Sequence, residues 1–170
     1  MTPRYSRSII GKRAIGKVPC NHGKNLTIVG AIALDGVRCT MAYEGGTTRE
    51  IFLEFIREAL LPSLRTGDVV VMDNLRSHHT EGVRESIESV GATVLYLPSY
   101  SPELNPIEKT WSKLKQLLRR AGARTLKRLS SALAHAIKKI TCSDIAGWFT
   151  GSGYRAQHEC GVLYSAPHSN

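Results

Sequence analysis

The pattern of apolar and polar positions in the first half of the chain predicts a hairpin, a helix and a buried strand. Residues 26–43 form two apolar stretches joined by Asp35-Gly36, a pair typical of a tight hairpin turn. Residues 47–61 place their apolar side chains on one helical face, and Pro62 ends the pattern. The run 69–72 is apolar without alternation, which is typical of a strand covered on both faces.

The second half of the chain predicts one more strand and several helices. Residues 80–90 have a helical pattern, and residues 93–97 form a second apolar strand. Helical spacing then predicts a long helix at 105–120 and further helices at 124–140 and 143–149. This order predicts an α/β fold with a mixed sheet flanked by helices and with extra helices at the carboxyl-terminal end.

Size and composition fit one folded domain. The chain has 170 residues, of which 42% are hydrophobic and 22% charged, so it lies outside the disordered class. Its longest apolar run, residues 26–34, is far shorter than the roughly 20 residues of a membrane-spanning helix. The four cysteines lack disulfide or zinc-ligand spacing, and no apolar secretion segment follows the first basic residues. We therefore expect a cytoplasmic protein.

The net charge of +9 is concentrated in two blocks. Residues 1–24 hold six basic residues, residues 109–139 hold ten, and neither block contains an acid. Unbalanced positive blocks favour a polyanionic partner, because phosphate contacts release condensed counterions. The alternative is a solvated helix face with a basic terminus, but nucleic acid is the first partner that this distribution indicates.

Two acids occupy positions where chemistry is common. Asp73 follows the strand at 69–72 and Glu108 lies in the first turn of the helix at 105–120, with 34 residues between them. Carboxylates from different elements can hold divalent ions at the carboxyl ends of strands. Structural roles are also open, since Glu108 can complete a helix cap begun by Asn105, and Asp73-Asn74 can form an Asx turn.

Two motifs surround these acids, Val-Val-Val-Met-Asp73-Asn74-x-x-x-His78 and Leu97-Pro-Ser-Tyr-Ser-Pro-Glu-Leu-Asn-Pro-Ile-Glu108-x-x-Trp111-x-x-Leu114-Lys115. They resemble the catalytic core of insertion-sequence transposases related to the mariner group, whose superfamily is named for an Asp, Asp, Glu triad. The resemblance covers residues 1–155 and implies a ribonuclease-H-like fold, with residues 1–24 as a basic arm. Residues 156–170 are expected to form a loose tail, because the sequence there is polar.

The resemblance implies metal-dependent DNA cleavage and strand transfer in DNA transposition. Asp73 matches the second carboxylate of the family and Glu108 the third, as ligands of Mg²⁺ or Mn²⁺. The first belongs on an opening strand upstream of the basic segment, and neither Asp35 in a turn nor Asp68 at the far end of a strand replaces it. We expect the first strand and its Asp to be missing, and this chain alone to be inactive, as a remnant or the second half of a split-frame transposase.

The resemblance and the charge pattern also imply partners. We expect DNA, both transposon ends and target, a homodimer when the protein is complete, an upstream-frame product, and association with the nucleoid. The alternative is a non-catalytic nucleic-acid-binding module that retains the fold. The side chains expected to contact DNA are Arg4, Arg7, Lys12, Arg13, Asn74, His78, Lys109, Lys113, Lys115 and Arg119.

Overall fold

The predicted hairpin is present as two antiparallel strands, β1 (Leu26–Ala33) and β2 (Gly36–Glu44). Asp35 lies in the turn, where its carboxylate forms an ion pair with Arg38 at 2.9 Å. The structure is a computed structural model. It describes residues 7–15, 26–74, 82–123, 125–156 and 163–165.

The first helix, α1 (Arg49–Phe55), begins where the sequence predicts. Thr48 is its N-cap, and the Thr48 hydroxyl accepts a hydrogen bond from the backbone N–H of Ile51 at 3.4 Å. The helix then widens into a π-helical turn at Ile56–Leu60 and tightens into a 3₁₀ turn at Leu61–Ser63. Pro62 is therefore inside the final turn, near its start, where a missing N–H is tolerated.

A strand, helix, strand unit follows, formed by β3 (Val69–Met72), α2 (Val83–Ser89) and β4 (Thr93–Tyr96). The two strands pair in parallel, from Val69 with Thr93 to Met72 with Tyr96. The predicted start of α2 at Thr80 lies outside the described residues. The carboxyl ends of β3 and β4 consequently meet at one edge.

Three further helices complete the predicted order: α3 (Ile107–Ala121), α4 (Leu126–Lys138) and α5 (Cys142–Gly151). Gly122 ends α3 in the left-handed region, with φ of 58°. A short antiparallel pair, β5 (Tyr154–Ala156) with β6 (Leu163–Ser165), follows α5 and is an element that the sequence pattern did not predict. No helix within the described ranges has the length and hydropathy needed to cross a membrane.

Helices cover the strands on both faces. On one face, buried side chains of α1, the π-helical turn and α2 contact Val29 and Ala31 of β1 and Val70 of β3. On the other face, the core formed by Ile140 after α4, by α5 and by β5 contacts Ile32 of β1 and Val71 of β3. The two strand pairs therefore lie in one layer between the same groups of helices.

Contact between the hairpin and α3 depends on Gly30. A Cβ at this position would lie 3.0 Å from the carbonyl oxygen of Cys39 and 3.3 Å from the ring of Trp111. The absence of a side chain at Gly30 allows the indole of Trp111 to approach the strand. This contact anchors α3 one turn beyond Glu108.

The single mixed sheet of the sequence prediction is divided in the described part of the chain. There, β1 hydrogen-bonds only to β2 and β3 only to β4. All eight residues of β1 are half-buried and none is fully buried, although most are apolar. The remaining edges of β1 and β3 thus have no strand partner among the residues that the structure describes.

Candidate active site

Asp73 and Asn74 lie at the carboxyl edge of the parallel pair, directly after β3. The hydrogen-bond ladder between β3 and β4 extends past the end of β4, since the backbone N–H of Leu97 donates to the carbonyl of Met72 at 2.8 Å. Asp73 is half-buried and Asn74 is exposed. The side-chain amide of Asn74 donates to the hydroxyl of Ser99 at 2.8 Å. The residue beside Asp73 is therefore bonded to the loop that leads to Glu108.

That loop, residues 97–106, is held in place by a 3₁₀ turn at Pro102–Leu104. The backbone N–H of Asn105 donates to the carbonyl of Pro102 at 3.1 Å, and the hydroxyl of Tyr154 donates to the carbonyl of Leu104 at 2.9 Å. Burial raises the pKa of Tyr154, which keeps this phenol protonated as a donor. The loop is thus fixed to both the strand edge and the carboxyl-terminal part of the fold.

Glu108 lies in the first turn of α3 and its side chain is exposed. The predicted cap by Asn105 is not formed, because Pro106 occupies the N-cap position and no side chain caps the helix. Asn105 instead ends the 3₁₀ turn in an extended conformation. The carboxylate of Glu108 makes no hydrogen bond or ion pair within the described part of the chain. It is therefore available for a ligand at the helix start.

Asp35 and Asp68, the two other acids considered as ligands, lie where the sequence predicted, away from Asp73. Asp35 pairs with Arg38 in the hairpin turn. Asp68 accepts a hydrogen bond from the backbone N–H of Arg65 at 2.9 Å, at the end of β3 opposite to Asp73. Over the described ranges, no three His, Cys, Asp or Glu side chains gather as a metal site. The candidate site thus has two carboxylates, Asp73 and Glu108.

The predicted DNA-contacting residues fall into three groups. Arg4 and His78 lie outside the described residues, and Arg7, Lys12 and Arg13 are exposed on the basic arm. On α3, Lys109, Lys115 and Arg119 are exposed, whereas Lys113 is half-buried. Asn74 has the hydrogen bond to Ser99 described above.

Two of these cations share the helical face of Glu108. Lys115 and Arg119 follow Glu108 by seven and eleven residues, which at 100° per residue returns both to within about 20° of its direction. They lie about 10 Å and 16 Å farther along the helix axis. A row of one acid followed by two cations therefore extends from the site along α3.

Lys113 has a structural partner. Its ammonium group forms an ion pair with the carboxylate of Asp144, which also accepts hydrogen bonds from the backbone and hydroxyl of Thr141 at the start of α5. The ion pair with Lys113 and, to a lesser extent, the bonds from Thr141 lower the pKa of Asp144 to about 2. Lys113 thus connects α3 to α5.

We expect Asp144→Asn to lower the free energy of unfolding at neutral pH and to lose this effect in acid. The folded-state pKa of about 2 is below the ordinary 3.8, so the stabilisation is complete above pH 3.8 and disappears as the pH falls towards 2. Urea unfolding of the wild type, Asp144→Asn, Lys113→Gln and the double variant at several pH values measures the coupling. Additive effects at neutral pH would contradict the ion pair.

Sequence reasoning missed one residue at this edge. Tyr100 is fully exposed, with a relative exposure of 101%, and its φ is 60°. The sequence pattern left a loop between the strand at 93–97 and the helix at 105–120, but it did not give the direction of the side chains in that loop. Only the backbone conformation distinguishes Tyr100 from other polar loop positions.

Comparisons with known proteins agree with the predicted family and fold. The chain is similar to the Mos1 strand transfer complex (20% identity, TM-score 0.63, 88% of this chain and 45% of that chain). It is also similar to the Mos1 transposase paired-end complex with the left transposon end (18%, 0.65, 87% and 46%). A third similar structure is the Mos1 mariner paired-end complex with Mn (19%, 0.59, 86% and 46%).

The similarity to these solved structures establishes the fold, and a match to a family of sequences establishes the family. The chain has the predicted ribonuclease-H-like α/β fold and spans less than half the length of these solved chains. No curated protein sequence matches it significantly. The sequence profile named DDE superfamily endonuclease matches residues 1–130, which is more than half of the sequence. The chain therefore belongs to the DDE superfamily of endonucleases.

Proposed function

We propose that this chain is the catalytic part of a DNA transposase that cleaves DNA and joins strands with the help of divalent metal ions. The observation that carries the proposal is the position of Glu108. Its carboxylate is exposed and does not cap its helix, and the preceding loop is bonded to the residue beside Asp73. From this connection we infer that the two carboxylates, which come from separate elements, share one edge of the fold.

The donor set fits a hard divalent ion such as Mg²⁺ or Mn²⁺. Asp73 and Glu108 would hold it, because such ions prefer carboxylate oxygens. When bound, the metal would favour deprotonation of the attacking hydroxyl and neutralise charge on the leaving oxygen. Asp73 is held at the end of a helix-covered strand and Glu108 on a long helix, so neither backbone has to reorganise during the reaction.

DNA would lie along α3 beside this edge. Lys115 and Arg119 extend from Glu108 on the same helical face and would contact successive phosphates. Lys109 and the arm residues Arg7, Lys12 and Arg13 are exposed and would add further backbone contacts. Lys113 would contribute through the position of α3, because its charge is paired with Asp144. We propose transposon ends and target DNA as substrates, bound by a homodimer when the protein is complete.

A second candidate function is a nucleic-acid-binding module without catalysis. The observation that favours it is the lack of any three-acid metal site among the residues that the structure describes. In this case the cations of α3 keep their role, and Asp73 and Glu108 have no metal to bind. Both functions predict DNA binding, and they differ in whether the protein cleaves DNA with the help of Asp73 and Glu108.

We expect the chain to bind duplex DNA with a strong salt dependence and little sequence preference. Each neutralised phosphate contributes about −0.9 to the slope of log K against log salt. Replacing Lys115 and Arg119 together by Gln should therefore reduce the magnitude of the slope by about 2. Fluorescence anisotropy at several salt concentrations measures this slope.

The matched control is the double change of Lys138 and Lys139 to Gln, which removes the same charge at the end of α4. We expect this control to change the slope by less than half as much. Equal slopes for the two double variants would show that net charge, and not the face of α3, determines binding. Absence of DNA binding by the wild type at low salt would contradict both candidate functions.

A further inference from the structure

Tyr100 has a backbone conformation that is unfavourable for an aromatic residue. Its φ of 60° lies in the left-handed region, where Cβ crowds the neighbouring peptide group. No other non-glycine residue in the described ranges has a positive φ. Such a conformation persists only where the surrounding structure imposes it, and it concentrates at ligand-binding sites.

The loop around Tyr100 imposes this conformation from both sides. The hydroxyl of the preceding residue, Ser99, accepts the hydrogen bond from Asn74. The 3₁₀ turn Pro102–Leu104 begins two residues later. Tyr100 is therefore presented by a rigid loop, and its position is fixed relative to Asp73, the neighbour of Asn74.

The side chain of Tyr100 is not stabilised by contacts within the described part of the fold. Tyr100 is fully exposed and makes no hydrogen bond or ring contact with any residue that the structure describes. Packing therefore does not explain why an aromatic residue occupies a left-handed position. A ligand that covers the ring would explain both its exposure and its fixed direction.

We propose that Tyr100 stacks on an unpaired nucleobase of DNA bound at the candidate active site. This rests on the proposed function, because the DNA must pass the edge that carries Asp73 and Glu108. Bases in an intact duplex are stacked on one another, so the fitting base is one freed at a strand end or at a distorted step. Aromatic faces accept any base, and such stacking contributes binding without sequence readout.

The test uses the purified full chain and a short duplex with a single-stranded 3′ extension whose first unpaired base is 2-aminopurine. We expect the wild type and Tyr100→Phe to quench the 2-aminopurine fluorescence. Tyr100→Leu keeps an apolar side chain but has no aromatic face, so it should not quench and should bind this DNA roughly tenfold more weakly. All three proteins should bind a fully paired duplex equally.

Tyr100→Asn separates stacking from folding. Asparagine tolerates the left-handed region, so this variant should keep the thermal stability of the wild type while losing the quenching. Equal quenching by the wild type and Tyr100→Leu overturns the proposal. This outcome has the same meaning even where Tyr100→Leu changes the association state of the protein. A wild type that fails to bind even the paired duplex at low salt overturns the proposed function and the stacking with it.

Discussion

A fusion protein that adds to this chain a further strand ending in an Asp should lose about a thousandfold in DNA-cleavage rate when Asp73 is changed to Asn or Glu108 to Gln. Metal ions at a phosphodiester site contribute several kcal/mol to transition-state stabilisation, and each 1.36 kcal/mol is about a factor of ten in rate. Both substitutions keep the shape of the side chain and remove its charge. The measurement is single-turnover nicking of DNA that carries the transposon ends, in Mg²⁺ or Mn²⁺.

Glu103→Gln is the matched control for Glu108→Gln. Glu103 is also an exposed carboxylate, and it lies in the 3₁₀ turn that precedes α3. We expect this control to cleave at the wild-type rate. All variants should bind DNA at least as tightly as the wild type, because losing a negative charge does not weaken phosphate binding. Full activity of Glu108→Gln would show that Glu108 is a surface residue and not a metal ligand. Absence of cleavage by the unsubstituted fusion would instead support the non-catalytic binding module.

The sequence predicted most of the elements because each has strong local signals. Two apolar stretches joined by Asp35-Gly36 predicted the hairpin, and the helical pattern of residues 47–61 predicted α1. Helical periodicity around Trp111 and Leu114 predicted α3 to within two residues at its start. These signals act over a few residues and do not need tertiary contacts.

The features that were not predicted arise from tertiary packing. The π-helical turn at Ile56–Leu60 places Ile56 and Leu60 in the core and has no separate sequence pattern. The ion pair between Lys113 and Asp144 joins residues 31 positions apart, so charge counting along α3 assigned Lys113 to DNA. Asn105 resembled an N-cap, but the preceding 3₁₀ turn takes its backbone N–H and moves the start of α3.

The candidate site itself was only partly predictable. Parallel pairing of β3 with β4 brings the residues after both strands to one edge, and this follows from the strand, helix, strand order. The bond between Asn74 and Ser99 gives that edge its connection to α3 and depends on side-chain geometry. The roles of Asp73 and Glu108 as metal ligands remain a proposal that the substitutions above test.

The last expected result concerns the edges of β1 and β3 that have no strand partner in the described part of the chain. Within the described ranges β1 pairs only with β2 and β3 only with β4, yet both pairs are covered by the same helices. We propose that a further strand lies between them, carried by sequence outside the described residues. Because that strand would end beside Asp73, its carboxylate would complete the metal ligands.

This chain alone should therefore cleave DNA at least a hundredfold more slowly than the fusion that adds the proposed strand. Two carboxylates alone would leave the bound metals under-neutralised, which lowers the rate. Open apolar strand edges favour association, so the short chain should also form larger species.

Cleavage assays and sedimentation separate these two effects. They compare the short chain, the fusion and a fusion with its added Asp changed to Asn. The Asn fusion should be monodisperse but inactive, because it restores the strand without the ligand. Robust cleavage by the short chain that is abolished by Asp73→Ala would show that an acid within these 170 residues completes the site.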